Sequence, residues 1–308
     1  MNRVARSMFA AALLFCCGSG LCAAEVVDGV ILQREISYHP GGHRMMKLDL
    51  AVPEAKSEKP LPVIVLIHGG GWVDGDKSSF ATIKPRNQAN VIDYARLGFA
   101  AATINYRLSK EAIYPSGLED CECAIRWLRA HAKEHNLDPA RIGAWGNSAG
   151  GHLALMLAIS EEPSLAADAP WREHSSRVQC AISDSGPIDM VAQYHQGVLR
   201  GVVNMFMGGP PEGELLKAYQ KCSPSTYADR IKIPLMLIYG VEDNQVPIET
   251  ADKFVVELQK NGLHDLSYHR LATVGHCPHS LIQVPWTRTV VNEFFARTLK
   301  LKDPAPQK

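Results

Sequence analysis

A serine between glycines, at a point where a strand gives way to a helix, is the feature that most constrains the fold of this chain. The pentapeptide GNSAG occupies residues 146–150, between a predicted strand at 141–145 and a predicted helix at 151–158. A serine at so sharp a turn takes a strained backbone conformation and points its hydroxyl outward. The residues two before and two after it come close together, which explains the glycines at both positions. The helix N-terminus beside it favours developing negative charge.

A glycine-rich loop follows an apolar run earlier in the chain. Residues 62–67 are apolar and rich in β-branched side chains, which predicts a strand buried on both faces. This strand ends in HGGGW at residues 68–72. Glycines let the backbone approach a ligand closely and turn its N–H groups toward it. The two motifs therefore predict a serine hydroxyl and a loop of accessible N–H groups, each at the end of a strand.

Strands and helices alternate along the chain, which predicts a mostly parallel sheet with helices on both faces. The predicted strands number eight and span residues 30–37, 47–51, 62–67, 99–104, 141–145, 178–183, 235–239 and 266–271. The clearest helix spans about 116–135, and the last helix spans 285–300. An insertion at about 187–233 is too short for a domain and is expected to cap part of the site. In such sheets ligands bind beyond the carboxyl ends of the strands.

Together the two motifs resemble the nucleophile elbow and the oxyanion loop of the α/β-hydrolase fold. The chain is most similar to the esterase/lipase branch related to hormone-sensitive lipase, and within it to bacterial carbohydrate- and feruloyl-esterase-like proteins. Further stretches match that branch at residues 105–108, 115, 120, 124–129 and 138–142. The resemblance covers roughly residues 48–299. It implies a single α/β-hydrolase domain over residues 25–308, with the small cap insertion inside it.

The resemblance implies a role for each of three distant side chains. In this fold the serine is followed along the chain by an acid and then by a histidine. Ser148 takes the place of the nucleophile, and Asp243 fills the acid position of the pattern Gly-x-x-Asp-x-x-Val-Pro after the strand at 235–239. His276 takes the place of the base because it directly follows a glycine. The usual pattern has a second glycine after the histidine, where this chain has Cys277.

The residues around the nucleophile complete the site that the resemblance implies. The main-chain N–H groups of Gly70, Gly71 and Ala149 are the expected oxyanion hole, which stabilises negative charge on a tetrahedral intermediate. Trp72 and Asn147 are candidate substrate-binding residues. Packing is the alternative role for Trp72.

Neighbouring residues leave alternatives open for the acid and the base. Glu242 adjoins the expected acid, while Asp184 and Asp189 follow the preceding strand, where some α/β-hydrolases carry the acid. We interpret Asp189 as a structural acid. His279 is the alternative base, and His152 is expected on a helix face.

A metal site is the competing interpretation of the histidine segment. His276, Cys277 and His279 are zinc-type ligands, but their spacing matches no common zinc pattern and no fourth ligand suggests itself. A serine–histidine–acid mechanism also needs no organic group. We therefore expect neither a metal nor another cofactor.

Five cysteines lie beyond residue 24, an odd number that leaves at least one unpaired within the chain. Cys121 and Cys123 point to different sides of one predicted helix and should not bridge. One disulfide among Cys180, Cys222 and Cys277 stays open if the compartment is oxidising.

The first 24 residues have the layout of a secretory signal peptide. Arg3 and Arg6 precede an apolar run at 8–17, and small residues lead to a cleavage site after Ala24 or, as the alternative, after Ala23. The apolar run is too short to span a bilayer. Cysteines in this stretch make a lipoprotein the alternative, although the residues before them fit a lipidation motif poorly. We expect a secreted or periplasmic chain that is not stably inserted in a membrane.

Charge and resemblance together narrow the function. The 308 residues contain 32 Lys and Arg and 32 Asp and Glu, so no basic excess indicates a nucleic-acid partner. The resemblance implies a serine carboxylic-ester hydrolase that forms an acyl-enzyme, acting on short-chain or carbohydrate-linked esters of the acetyl or feruloyl type. A serine exopeptidase, an arylformamidase and a non-catalytic binding module are the alternatives. Acyl length, the alcohol and the oligomeric state stay open.

Overall fold

A single twisted sheet organises the computed structural model, which describes residues 13–17, 20–83, 89–159, 169–196, 198–280 and 284–300. Within those ranges the sheet has ten strands in the order β1-β2-β3-β4-β6-β5-β7-β8-β9-β10. The antiparallel part contains β1 (Leu13–Cys17), β2 (Gly20–Val27), β3 (Val30–Ser37) and β4 (Lys47–Pro53). The parallel part contains β5 (Leu61–Ile67), β6 (Ala100–Ile104), β7 (Leu137–Asn147), β8 (Cys180–Asp184), β9 (Leu235–Gly240) and β10 (Leu266–Leu271).

The sheet confirms the predicted fold class and all eight predicted strands, but it adds two. The extra strands β1 and β2 lie at the antiparallel edge, where β2 pairs with β3. They come largely from the residues that the sequence assigns to a leader, because an apolar segment can satisfy its backbone by pairing at an open sheet edge. Residues 1–12 and 18–19 of that leader lie outside the described residues. Division of the chain into a leader and a mature domain stays a prediction.

Helices cover both faces of the sheet. They are α1 (Val91–Arg96), α2 (Ser116–Ala130), α3 (Ala149–Ile159), α4 (Met190–His195), α5 (Arg200–Met207), α6 (Gly213–Lys221), α7 (Ile248–Lys260) and α8 (Thr287–Thr298). Short 3-10 helices add Lys77–Phe80 and Pro224–Tyr227. The expected helix at 116–135 ends at Ala130, five residues early, because the chain turns there at His131. The expected cap insertion folds into α4, α5 and α6.

Two apolar clusters lie on opposite faces of the sheet. Along β5, side chains alternate between them: Val63, Val65 and Ile67 face one cluster, while Ile64 and Leu66 face the other. Every residue of β5 is buried, which confirms the prediction of a strand buried on both faces. In the part of the chain that the structure describes, no helix is long and apolar enough to cross a membrane.

The five cysteines that the structure describes in full are all free and buried. The disulfide left open among Cys180, Cys222 and Cys277 is therefore not formed. Cys121 and Cys123 are likewise unbridged, as predicted. Cys121, Cys123, Cys180 and Cys222 belong to the two apolar clusters and act as small apolar core residues.

The turn that carries the serine is packed without spare room. A methyl group on Gly146 would lie 2.3 Å from the carbonyl carbon of Gly150, and one on Gly150 would lie 2.0 Å from the carbonyl oxygen of Ile67. Both contacts involve backbone atoms, which cannot move aside independently. The prediction that these two positions must be small is confirmed.

We expect Gly150→Ala to lower the unfolding temperature by more than about 10 °C or to abolish soluble expression, because overpacking against backbone costs several kcal/mol. Gly201→Ala is the matched control. Its added methyl group meets nothing within 4 Å, and alanine favours the helix it lies in. Thermal unfolding followed by circular dichroism compares them. Equal stability of the two variants would contradict the steric argument.

Candidate active site

Ser148 lies between β7 and α3 in a left-handed backbone conformation with φ of 52°. Its main-chain N–H donates to the carbonyl oxygen of Asp184 at 2.8 Å, and its carbonyl accepts from the N–H of His152 at 3.0 Å. Left-handed geometry is strained for a residue with a side chain and persists only where the surroundings enforce it. The backbone therefore holds the hydroxyl at the edge of the sheet, above the first turn of α3.

Three side chains from distant parts of the chain form one line of hydrogen bonds. Ser148 Oγ lies 2.8 Å from His276 Nε2, and His276 Nδ1 lies 2.7 Å from Asp243 Oδ2. Each residue follows a different parallel strand: Ser148 follows β7, Asp243 follows β9 and His276 follows β10. The structure thus brings together the three residues that the sequence singled out. This geometry lets the imidazole accept the serine proton while the carboxylate holds the ring.

Asp243 is completely buried on its side-chain atoms. Its Oδ1 accepts the main-chain N–H groups of Gln245 at 2.8 Å and Val246 at 2.9 Å. Burial by itself raises the pKa of Asp243, but the bond to His276 and these two N–H donors outweigh burial and hold the pKa below its ordinary value. The carboxylate is therefore charged at neutral pH and fixed in orientation.

The glycine-rich loop faces the serine across a cleft of about 520 Å³. Gly70 and Gly71 both line this cleft and have positive φ angles of 101° and 60°. Among the described residues neither main-chain N–H has a hydrogen-bond partner. Ala149 begins α3, so its N–H is one of the groups that a helix leaves unpaired at its N-terminus. These three donors are available to an oxygen bound beside Ser148.

A buried histidine and a tyrosine hold the base of the glycine-rich loop. The rings of His68 and Tyr106 stack with centroids 4.5 Å apart, and the Tyr106 hydroxyl donates to the carbonyl of His68 at 2.9 Å. His68 Nδ1 bonds the carbonyl oxygen of Gly69 at 2.8 Å. Burial lowers the pKa of His68, so the ring is neutral and Nδ1 donates. The loop is therefore fixed before any ligand arrives.

Trp72 and Asn147 have different environments. Trp72 is 2% exposed, stacks on Phe206 at 4.3 Å and does not line the cleft. These contacts are those of the packing alternative for Trp72. Asn147 does line the cleft, with its Nδ2 atom 3.9 Å from Cys277 Sγ.

The residues left open as alternatives are engaged elsewhere. Glu242 is exposed, and Asp189 caps the N-terminus of α4 by accepting the N–H of Ala192 at 2.9 Å, as a structural acid would. His152 bonds the carbonyl of Cys222 at 2.7 Å from inside α3. The ring of His279 bonds Thr287 Oγ1 at 2.9 Å rather than Ser148.

Asp184 joins the serine turn to the histidine loop, a role that sequence reasoning did not assign. Its carbonyl accepts the N–H of Ser148, while its buried carboxylate accepts the N–H of Ser280 at 2.7 Å and that of His279 at 3.3 Å. Burial raises the pKa of Asp184 to about 6, although the two N–H donors oppose the rise. An acid directly after strand 178–183 was visible in the sequence, but not what it would bind.

Cys277 takes a conformation that accounts for the glycine usual at this position. Its φ angle is 55°, in the left-handed region that favours glycine. The N–H of Cys277 donates to Ser185 Oγ at 3.1 Å, which holds the strained residue in place. His276 therefore keeps its orientation despite the missing glycine.

Across the described ranges, no group of three or more His, Cys, Asp or Glu side chains could hold a metal ion.

The mostly parallel sheet, the serine turn and the loop of free N–H groups define an α/β-hydrolase. The model of the BD-FAE family matches residues 48–258, and the chain belongs to this family. Among curated proteins, the probable carboxylic ester hydrolase LipM of Mycobacterium tuberculosis is 29% identical over 249 residues, which cover 79% of this chain and 55% of LipM. The chain spans little more than half the length of such relatives.

Solved structures agree on the fold. A bifunctional GH43-CE protein of Bacteroides eggerthii superposes with a TM-score of 0.72 and 26% identity, over 87% of this chain and 38% of that one. A truncated carbohydrate esterase from gut microbiota gives a TM-score of 0.74 at 23% identity, over 87% and 96% of the two chains. The second likeness extends over almost the whole of that truncated chain.

Replacing His279 should weaken the pH dependence of the free energy of unfolding below neutral pH. Burial, followed by the charge of Arg288, lowers the pKa of His279 to about 3, whereas an unfolded histidine titrates near 6.5. Between these pH values the unfolded chain binds a proton that the folded chain does not. The stability from the neutral ring is thus complete above pH 6.5 and is lost as pH falls, by about 1.4 kcal/mol per unit.

Denaturant unfolding of the wild type and His279→Gln at pH 4 to 8 measures this slope. We expect the difference in unfolding free energy between the two proteins to be constant above pH 7 and to shrink below pH 6. A difference that stays constant to pH 4 would contradict the prediction. Asp184 titrates with the opposite sign in both proteins, so its contribution cancels in the comparison.

Proposed function

We propose that this chain is a serine esterase that cleaves carboxylic esters through an acyl-enzyme. One observation carries the proposal: the line of hydrogen bonds from Ser148 Oγ through His276 to Asp243, beside free main-chain N–H groups. The name of LipM, a probable carboxylic ester hydrolase, supports it. A serine hydroxyl is a weak nucleophile near neutral pH and needs such a base.

The proposed reaction has two halves. Ser148 attacks the ester carbonyl while His276 takes its proton, and the oxyanion accepts N–H bonds from Gly70, Gly71 and Ala149. His276 then protonates the departing alcohol. Water attacks the acyl-enzyme by the reverse route and releases the acid. Asp243 stays ionised throughout and stabilises the imidazolium that forms.

We propose short-chain or carbohydrate-linked esters, of the acetyl or feruloyl type, as the substrates. The open cleft of about 520 Å³ and the small cap suit a short acyl group on a bulky alcohol. Two relatives in structure support this choice, since one is called a carbohydrate esterase and the other combines GH43 and CE in its name. The carbohydrate nature of the alcohol is inferred by analogy with these relatives, and the short length of the acyl group is inferred from the cleft.

Ser148→Ala should lower kcat/KM for p-nitrophenyl acetate by about 10⁴- to 10⁶-fold, because the nucleophile is lost while the fold is kept. A fluorophosphonate probe should label the wild type at this serine and leave the variant unlabelled. Ser225→Ala, in the cap, is the control and should keep both the parental rate and the labelling. A Ser148→Ala protein that hydrolyses the ester at the parental rate would refute the proposal.

We also propose that the chain is exported and that its mature form begins at Glu25. The basic, apolar and small-residue segments of the first 24 residues support this, and a bacterial host expressing the full chain with a C-terminal tag tests it. N-terminal sequencing of the protein released from the periplasm or medium should start at Glu25. A chain retained in the cytosol with its first residues intact, or one lipidated at a cysteine, would contradict the proposal.

A further inference from the structure

The cleft beside Ser148 has an apolar part and a polar part. Val73, Leu199 and Val202 contribute the apolar side chains, whereas Gln245 contributes an amide. Val73 directly follows the glycine-rich loop. Leu199 and Val202 lie one turn apart at the start of α5, in the cap insertion. The two parts therefore come from different segments of the chain.

Contacts tie each part to one side of the site. The main-chain N–H of Gln245 donates to Asp243, which itself bonds His276, so Gln245 lies on the histidine side. Val202 belongs to the opposite side, because a methyl group placed on Gly71 would lie only 2.6 Å from Val202 Cγ1. Helix α5 thus rests directly on the loop that carries the free N–H groups.

The chemistry of the proposed reaction assigns the two halves of an ester to these sides. His276 has to protonate the departing alcohol, so the alcohol lies beside the imidazole. The carbonyl oxygen points at the N–H groups of the glycine-rich loop. The acyl chain then takes the remaining direction, away from His276. In that direction it meets the apolar part of the cleft, which suits a hydrocarbon chain.

The wall on the acyl side is fixed in place. Val202 and Phe206 are four residues apart on α5 and share one face of the helix. Phe206 stacks on Trp72 with centroids 4.3 Å apart and planes 7° apart, while Val202 contacts the preceding loop residue, Gly71. The carbonyl of Trp72 accepts both the N–H and the hydroxyl of Ser109, at 2.8 and 2.9 Å. The helix cannot withdraw without breaking this stack.

We propose that Val202 is a specificity-determining residue that closes the acyl side of the cleft and limits the chain length of the acyl group. This inference rests on the proposed esterase function. The side chain does not take part in bond making. It sets the volume available to the acyl chain, because the helix that carries it is docked on a rigid loop. A smaller residue at this position opens the wall, and a larger one narrows it.

Val202→Ala tests the inference with p-nitrophenyl acetate, butyrate, hexanoate and octanoate. We expect the ratio of kcat/KM for hexanoate to that for acetate to rise by about 10-fold or more, since a few methylene groups in a pocket discriminate by that order. Because the readout is a ratio, a loss of activity that is common to both esters leaves it unchanged. Met205→Ala is the matched control, because Met205 is 46% exposed on the same helix. It should leave the ratio unchanged.

Val202→Ile provides the opposite change if the alanine variant is poorly folded. One added methylene on the same wall should lower the butyrate-to-acetate ratio by several-fold. Labelling of Ser148 by a fluorophosphonate separates the two levels of the argument. A wild type that is neither labelled nor active refutes the esterase proposal. If the wild type is labelled and active, but both Val202 variants keep the acyl-length profile of the wild type, only the proposed role of Val202 is refuted.

Discussion

The bonds that Asp184 makes at the end of β8 hold the site together. Its main-chain carbonyl fixes Ser148, and its carboxylate fixes the loop that carries His276. Ser148 and His276 therefore share one anchor, so their 2.8 Å separation does not depend on two loops moving independently. Catalytic groups lose much of their effect when misplaced by about 1 Å, which makes such an anchor more important than any single contact. The Asp184 carboxylate is buried together with the two N–H groups that it accepts, so it supplies the hydrogen bonds that water would otherwise make.

Strain at the site is balanced by specific hydrogen bonds. Ser148, Ser185 and Cys277 all have left-handed backbone conformations although none is glycine. Each donates its N–H to a fixed acceptor: the carbonyl of Asp184, the carbonyl of Ile238 and the hydroxyl of Ser185, respectively. Non-glycine residues persist in this region only where the surroundings enforce it. Ser148 and Ser185 lie directly after strands β7 and β8, where the chain leaves the sheet, and Cys277 lies in the loop that follows β10.

The cap insertion packs against the glycine-rich loop through helix α5. Stacking of Phe206 on Trp72 and the contact between Val202 and Gly71 dock α5 onto the loop residue by residue. The same contacts that bury an aromatic pair also shape the cleft. Trp72, a candidate substrate-binding residue from the sequence, is buried and supports the packing of α5 on the loop.

Sequence patterns were enough to single out the serine, the acid and the histidine that meet in the structure. They also indicated that glycines are needed at positions 146 and 150. These are local features, since turn sterics and buried strands leave a trace in a few neighbouring residues. The end of α2, the pairing of β1 and β2 and the tasks of Asp184 and Trp72 were decided only by tertiary structure. Each depends on a partner far away in the chain, and a single sequence carries no record of which distant groups meet.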